Sequence, residues 1–155
     1  MKNVAGKTVL ITGAAMGLGK LFATRAVQEK AKTVVLWDIN EGVLKATAAE
    51  LEALGGNVQP YVVDVSAPDS IAEAAALVLE NAGPIDVLFN NAGIVRGNSY
   101  FWETKNPKDI EQTMAINSLA PMYILREFLP STIASGNESR IVNIASSAGL
   151  VSNPR

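Results

Sequence analysis

Five short apolar runs recur along the chain, each stopped by a polar or glycine residue and most followed by a stretch with helical spacing. They are Thr8-Val9-Leu10-Ile11, Thr33-Val34-Val35-Leu36-Trp37, Val58 to Val63, Ile85-Asp86-Val87-Leu88-Phe89 and Arg140 to Ala145. Strands that are apolar on both faces and alternate with helices imply a parallel sheet covered on both sides. The predicted fold class is therefore α/β, a doubly wound parallel sheet. Residues 1–155 read as one domain, with no linker, internal repeat or low-complexity stretch.

The helices between these strands are legible from their caps. The first runs from Leu18 to about Glu29, with Leu18, Leu21, Phe22 and Arg25/Ala26 at helical spacing. Asn40 caps the second, whose apolar stripe is Leu44, Ala48, Leu51 and Leu54, closed by Gly55-Gly56. Ser66-Ala67-Pro68-Asp69 has the spacing of a helix cap with an acidic third residue, and that helix runs through Ile71, Ala75 and Val78 to Gly83-Pro84. A long helix follows the Asn106-Pro107 cap and carries Ile110, Met114, Asn117, Tyr123 and Leu125, with Pro121 expected to kink or break it.

Composition narrows the function classes. The chain has 155 residues, 48 % apolar and 18 % charged, enough to build a core. A net charge of −2 leaves no basic footprint for nucleic acid. Apolar runs are broken within about ten residues, too short for a membrane span, and no signal stretch opens the chain. There is no cysteine and no histidine, which excludes a disulfide framework, a Cys/His metal site and a His-dependent nucleophile. No metal is expected, and the expected location is the cytoplasm.

Ligands of such sheets sit at the carboxyl ends of the strands, so the residues just after each strand carry the chemistry. After the first comes Thr12-Gly13-Ala14-Ala15-Met16-Gly17-Leu18-Gly19, opening straight into a helix. Glycines here permit a tight turn and close approach to a pyrophosphate, and the helix N-terminus offers free N–H groups. A glycine turn that merely packs helix on strand is the bland alternative. After the second strand stands Asp38, which can accept hydrogen bonds from ribose hydroxyls and would repel a 2′-phosphate. No Arg or Lys stands at Met16 or Ile39 to receive that phosphate, so the expected cofactor is NAD rather than NADP. Asp64-Val65 follow the third strand and Asn90-Asn91-Ala92-Gly93 the fourth. Asp64 can hold an adenine amino group, and Asn91-Ala92-Gly93 is a small-residue loop on which a dinucleotide can lie. Ser146-Ser147 follow the fifth strand, and Asn117 is an odd residue within an apolar helix that, if buried, needs partners.

In this order these motifs, with Asn143-Ile144-Ala145-Ser146, resemble the short-chain dehydrogenase/reductase family from Lys7 to Gly149. The resemblance implies a Rossmann-type fold and an NAD(P)-dependent oxidoreductase interconverting an alcohol and a ketone or aldehyde. It implies cofactor contacts from Thr12, Gly13, Met16, Gly17, Leu18, Gly19, Asp38, Ile39, Asp64, Val65, Asn91, Ala92 and Gly93. Ser146, rather than Ser147, would orient the substrate oxygen, and Asn117 would belong to a proton relay. The Leu36-Trp37-Asp38-Ile39-Asn40 wording also resembles members acting on retinoid, steroid or other lipophilic alcohols. The family usually forms homodimers or homotetramers through the long helix, here roughly residues 107–130. Ile110, Met114, Ile124 and Phe128 exceed what one buried face requires. Nucleotide-sugar epimerases share the fold, but Asn90-Asn91-Ala92-Gly93 speaks against them.

The family's acid/base pair, Tyr-x-x-x-Lys, is absent: Tyr61, Tyr100 and Tyr123 are followed four places on by Val65, Thr104 and Glu127. The pair is expected beyond Arg155, in a longer enzyme of which residues 1–155 are the N-terminal portion. By themselves these residues are expected to bind cofactor weakly and not to turn over. A catalytically inactive NAD-binding module and an interaction protein that has lost its ligand are the readings from other classes.

Overall fold

Alternation along two strands decides the layering. In β1 (Thr8–Thr12) and β2 (Thr33–Asp38), Val9, Ile11, Val34 and Leu36 enter one apolar layer, while Leu10, Val35 and Trp37 enter another. Both strands are buried on both faces, as runs of this kind require. In the computed structural model, which describes residues 2–97 and 101–146, these two strands are the centre of a five-stranded sheet. Its order is β3-β2-β1-β4-β5, every pairing parallel, with β3 at Val58–Val62, β4 at Val87–Asn90 and β5 at Arg140–Asn143. Helices α1 (Gly17–Gln28) and α2 (Glu41–Ala53) cover one face. Helices α3 (Pro68–Ala82) and α5 (Ala120–Ser135) cover the other. This is the expected doubly wound α/β sheet. Fully burying an aliphatic or aromatic side chain contributes about 1.5–3 kcal/mol. Trp37, Leu10, Ile11, Leu36, Leu44 and Leu51 are among those that do so.

The chain steps from β1 through β2 to β3 on one side, then crosses to β4 and β5 on the other. The strand order thus reverses beside β1, and a crevice opens where the carboxyl ends of β1 and β4 diverge. Every candidate residue described above, except those in the long helix, lies on or just after such an end.

Several local expectations change. Leu18 and Leu21 face solvent, and α1 instead buries Gly19, Ala23, Ala26 and Val27, because the turn before it presses Gly19 onto the strand. Leu54 is an exposed C-cap residue rather than part of the stripe, and Thr47 enters that stripe in its place. Ser66 does not cap α3: Ala67 is the N-cap and makes no side-chain bond, since the Ser66 hydroxyl donates to Asp64 Oδ1 at 2.6 Å. Strands β1 and β2 each extend one residue past their apolar runs, β3, β4 and β5 are shorter than theirs, and edge strands β3 and β5 are only partly covered.

The long helix is three pieces, α4 (Pro107–Met114), a π-helical turn (Ala115–Leu119) and α5. The irregularity falls just before Pro121, which has no N–H for the carbonyl four residues back. The helix runs to Ser135, past the expected end at Pro130, because Pro130 is on an exposed face where the freed Arg126 carbonyl can meet water. Ile124 and Phe128 are buried core residues, Phe128 lying 5.7 Å from the Trp37 ring, and so are not surplus apolar surface as expected. Tyr100 and Ser147 lie outside the described residues.

Candidate functional site: the crevice at the carboxyl ends of the strands

The turn from β1 into α1 uses its three glycines in three ways. Gly13 has φ +64°, and a Cβ there would stand 3.0 Å from the Ala92 Cα. Gly17 has φ +56° with open space around it, so it serves backbone conformation alone. Gly19 has ordinary helical geometry, but a Cβ there would stand 2.1 Å from the Gly13 carbonyl oxygen. The crowding lets α1 start directly against the strand end. Met16, the N-cap, makes no side-chain capping bond, and no acidic residue occupies the first turn. By contrast, α2 and α4 are capped by Asn40 and Asn106. The N–H groups at the start of α1 are thus left for an anion, with the positive end of the helix dipole behind them.

Thr12 couples this turn to the loop after β4. Its hydroxyl accepts from the backbone N–H of Asn91 at 3.0 Å and of Ala92 at 2.9 Å, and donates to the Phe89 carbonyl at 3.4 Å. The Asn91 side-chain amide donates back to the Thr12 and Gly13 carbonyls, at 2.9 and 3.2 Å. Thr12 is therefore buried scaffolding beneath the crevice, not a lining residue.

A cleft of about 340 Å³ opens above these groups. Gly13, Met16, Asp38, Ile39, Asp64, Val65, Asn91, Ala92 and Gly93 line it, joined by Trp37, Val63, Ile94 and Ile116. Leu18 does not line it, and Gly19 is packed beneath it. The Asp38 carboxylate accepts from Ala15 N–H and Asn40 N–H, each at 3.0 Å, one on either oxygen. Each oxygen keeps acceptor capacity for a hydroxyl. Asp64 Oδ1 accepts from the Ser66 N–H and hydroxyl, at 2.9 and 2.6 Å, while Ser70 holds the Asp64 N–H at 3.1 Å. The cleft therefore offers N–H donors at one end, carboxylates on one wall and an apolar floor, a donor set that fits a dinucleotide.

A second cleft, about 680 Å³, continues across the ends of β4 and β5 and is lined by Asn117, Ser118, Pro121, Met122, Asn143 and Ser146 among others. Asn117 is in the π-helical turn and is exposed, and its amide is nonetheless paired. It accepts from Ile94 N–H at 2.9 Å and donates to the Ile94 carbonyl at 2.8 Å, gripping the segment that leaves the Asn90–Gly93 loop. The buried Asn90 amide donates to Asn143 Oδ1 at 2.8 Å and ties β4 to β5 just below Ser146. The fold thus brings Asn117 and Ser146 to one cavity from segments far apart in sequence.

Sequence reasoning missed Trp37, Val63, Ile94 and Ile116 as lining residues. Trp37 and Val63 carried a signal, since each directly precedes an acidic lining residue. Ile94 and Ile116 carried none, because only the folded π-helical turn brings Ile116 over the β4 loop.

The family model for short chain dehydrogenases matches residues 7–155. The human estradiol 17-beta-dehydrogenase 11 is 42 % identical over 153 residues, 99 % of this chain and 50 % of that protein. The mouse epidermal retinol dehydrogenase 2 is 38 % identical over 97 % of this chain and 48 % of its own length. The chain thus spans about half the length of the curated relatives it matches. Among solved structures, a short chain dehydrogenase/reductase from Burkholderia phymatum in complex with NAD superposes with a TM-score of 0.93. It is 34 % identical, covering 99 % of this chain and 54 % of that one. A metagenomic short-chain oxidoreductase in complex with NADP superposes with a TM-score of 0.88 at 35 % identity, covering 98 % and 66 %. The nucleotide crevice, its glycine turn and its asparagine loop are those of a chain that belongs to the short-chain dehydrogenase family.

Proposed function

We propose that the polypeptide is an oxidoreductase that moves a hydride between NAD and a lipophilic alcohol or the matching ketone or aldehyde. The observation that carries the NAD preference is the Asp38 carboxylate in the cleft wall, beside the bare N-terminus of α1. NAD supplies the hydride-accepting chemistry when bound. The first-turn N–H groups of α1 would hold its pyrophosphate, Asp38 its adenosine ribose and Asp64 its adenine. The apolar Ile94–Ile116 end of the cleft would keep water from the cofactor, and Ile94 also lines the second cleft with Ser146. The Ser146 hydroxyl holds the substrate oxygen, and Asn117 keeps the Ile94 peptide in register with it. Ser146 alone is too weak an acid to deliver the proton, and no Tyr-x-x-x-Lys lies within residues 1–155. The names of the relatives, an estradiol and a retinol dehydrogenase, support the substrate class.

The wild-type protein is expected to bind NADH more tightly than NADPH. Asp38→Ala weakens NADH binding about tenfold by removing a charge-assisted acceptor, and leaves NADPH unchanged or tighter. Fluorescence titration of both nucleotides measures the ratio. Equal affinities in the wild type, or a ratio untouched by the substitution, defeat the NAD assignment.

The protein is also expected to pair with copies of itself through α4 and α5. Ile110 and Met114 of α4 are exposed, as are Met122 and Ile133 of α5, at 64 and 74 %. An apolar strip of that kind marks an interaction surface. Size-exclusion chromatography with light scattering is expected to give a dimer or tetramer. A monodisperse monomer at micromolar concentration counts against the helical interface.

A further inference from the structure

Thr47 does something a threonine inside a helix ordinarily does not. Such hydroxyls usually return to their own helix, four residues back. The Thr47 hydroxyl, on a residue only 1 % exposed, instead donates to the Ala15 carbonyl at 2.8 Å, 32 residues away. It lies in the apolar face of α2 beside Leu44, Ala48 and Leu51, where an unbonded hydroxyl is unfavourable. The other side of the same residue is held as well: the Ala15 N–H donates to Asp38 Oδ2 at 3.0 Å. Just before it, the Ala14 N–H donates to the Trp37 carbonyl at 3.1 Å.

These bonds close a ring. Asp38 Oδ1 accepts from Asn40 N–H at 3.0 Å, and the Asn40 side chain accepts from Val43 N–H at 3.2 Å to cap α2. Helix α2 then carries Thr47 back to Ala15, and Ala15 returns to Asp38. The helix acts as a strut between the carboxylate and the glycine turn. No member of the ring except Asp38 lines the cleft together with Met16 and Gly13.

We propose that Thr47 is a positioning residue for cofactor choice. By holding the Ala15 carbonyl it keeps the Ala15 N–H on Asp38 Oδ2, and so aims the carboxylate where a ribose 2′-hydroxyl is accepted and a 2′-phosphate is refused. The inference rests on the NAD reading above.

The test measures dissociation constants for NADH and NADPH with the full-length polypeptide. The proteins are wild type, Thr47→Val, Thr47→Ser, Asp38→Ala and the Thr47→Val/Asp38→Ala double variant. Thr47→Val keeps the shape and removes the donor. It is expected to weaken NADH about five- to tenfold while NADPH moves less than about twofold, the effect of one lost hydrogen bond. Thr47→Ser is expected to keep the wild-type ratio within about twofold. In the Asp38→Ala background the valine is expected to change the ratio no further, since Thr47 acts through Asp38. General loosening of the fold would weaken both nucleotides alike, so the ratio separates positioning from stability. Thr47→Cys, close in size with only a weak donor, is read by the same ratio in case the valine variant does not fold. An unchanged ratio in the valine or cysteine variant, with Asp38→Ala shifting it, overturns the role of Thr47 alone. A serine variant as impaired as the valine also overturns it. A wild type without NAD preference overturns the NAD reading, and this inference with it.

Discussion

Gly19→Ala is expected to abolish nucleotide binding and to leave little folded protein, a larger effect than alanine at either other glycine of the turn. The added Cβ would lie 2.1 Å from the Gly13 carbonyl oxygen, 2.8 Å from the Gly13 carbonyl carbon and 2.8 Å from Asn91 Nδ2. Two of these atoms are backbone, and Gly13 is itself held by the Asn91 amide, so none can move without pulling the loop after β4. Overpacking a well-packed site costs roughly 1–3 kcal/mol, and a clash with backbone at this range belongs above that, about 4 kcal/mol or more. Gly17→Ala meets no atom within 4 Å and faces only its φ of +56°, a cost of about 1–2 kcal/mol. Gly13→Ala combines a φ of +64° with a contact at 3.0 Å and falls between them. Thermal denaturation of the three variants, followed by NADH titration of those that fold, gives the order. If Gly19→Ala is as stable as wild type, or Gly17→Ala is the most damaged, the packing account of the turn is wrong.

That ranking is not visible in the sequence, where the three glycines look alike. What could be read there was periodic: the strands, the parallel sheet and the acidic residues at strand ends follow from apolar runs and their stops. Asp38 ends β2 and Asp64 follows β3 by two residues, so both line the cleft at the carboxyl edge of the sheet. Contacts between elements distant in sequence were illegible. Thr47 reads as a weak helix former in a stripe of alanines and leucines until Ala15 is seen above it. Leu18 and Leu21 suit a buried stripe by spacing, yet the tight seat of Gly19 rotates α1 and turns them outward. The π-helical turn was legible only as a break at Pro121. That it presents Asn117 to both polar groups of the Ile94 peptide needs the fold.

Ser146→Ala in the full-length polypeptide is expected to lower kcat/KM for a lipophilic alcohol about a hundredfold or more, while Ser147→Ala leaves it within about threefold. The structural ground is position. Asn143, the last residue of β5, accepts a 2.8 Å hydrogen bond from the Asn90 amide, and Ser146, three residues on, lines the second cleft together with Asn117. A hydroxyl fixed there can stabilise charge developing on the substrate oxygen, and removing one such preorganised donor typically costs about 10²–10³ in rate. The loss belongs to the reacting end of the site. NADH affinity is therefore expected to stay within about twofold of wild type, because the pyrophosphate turn and Asp38 belong to the other cleft. Ser146→Thr, which keeps a hydroxyl, is expected to recover part of the rate, whereas Ser146→Cys, a weaker donor, recovers less. Steady-state NADH production from a panel of steroid and retinoid alcohols, with NADH titration on the same preparations, separates the two effects. If Ser147→Ala is the more damaging substitution, or if Ser146→Ala lowers nucleotide affinity in step with turnover, then Ser146 is not the residue that holds the substrate oxygen.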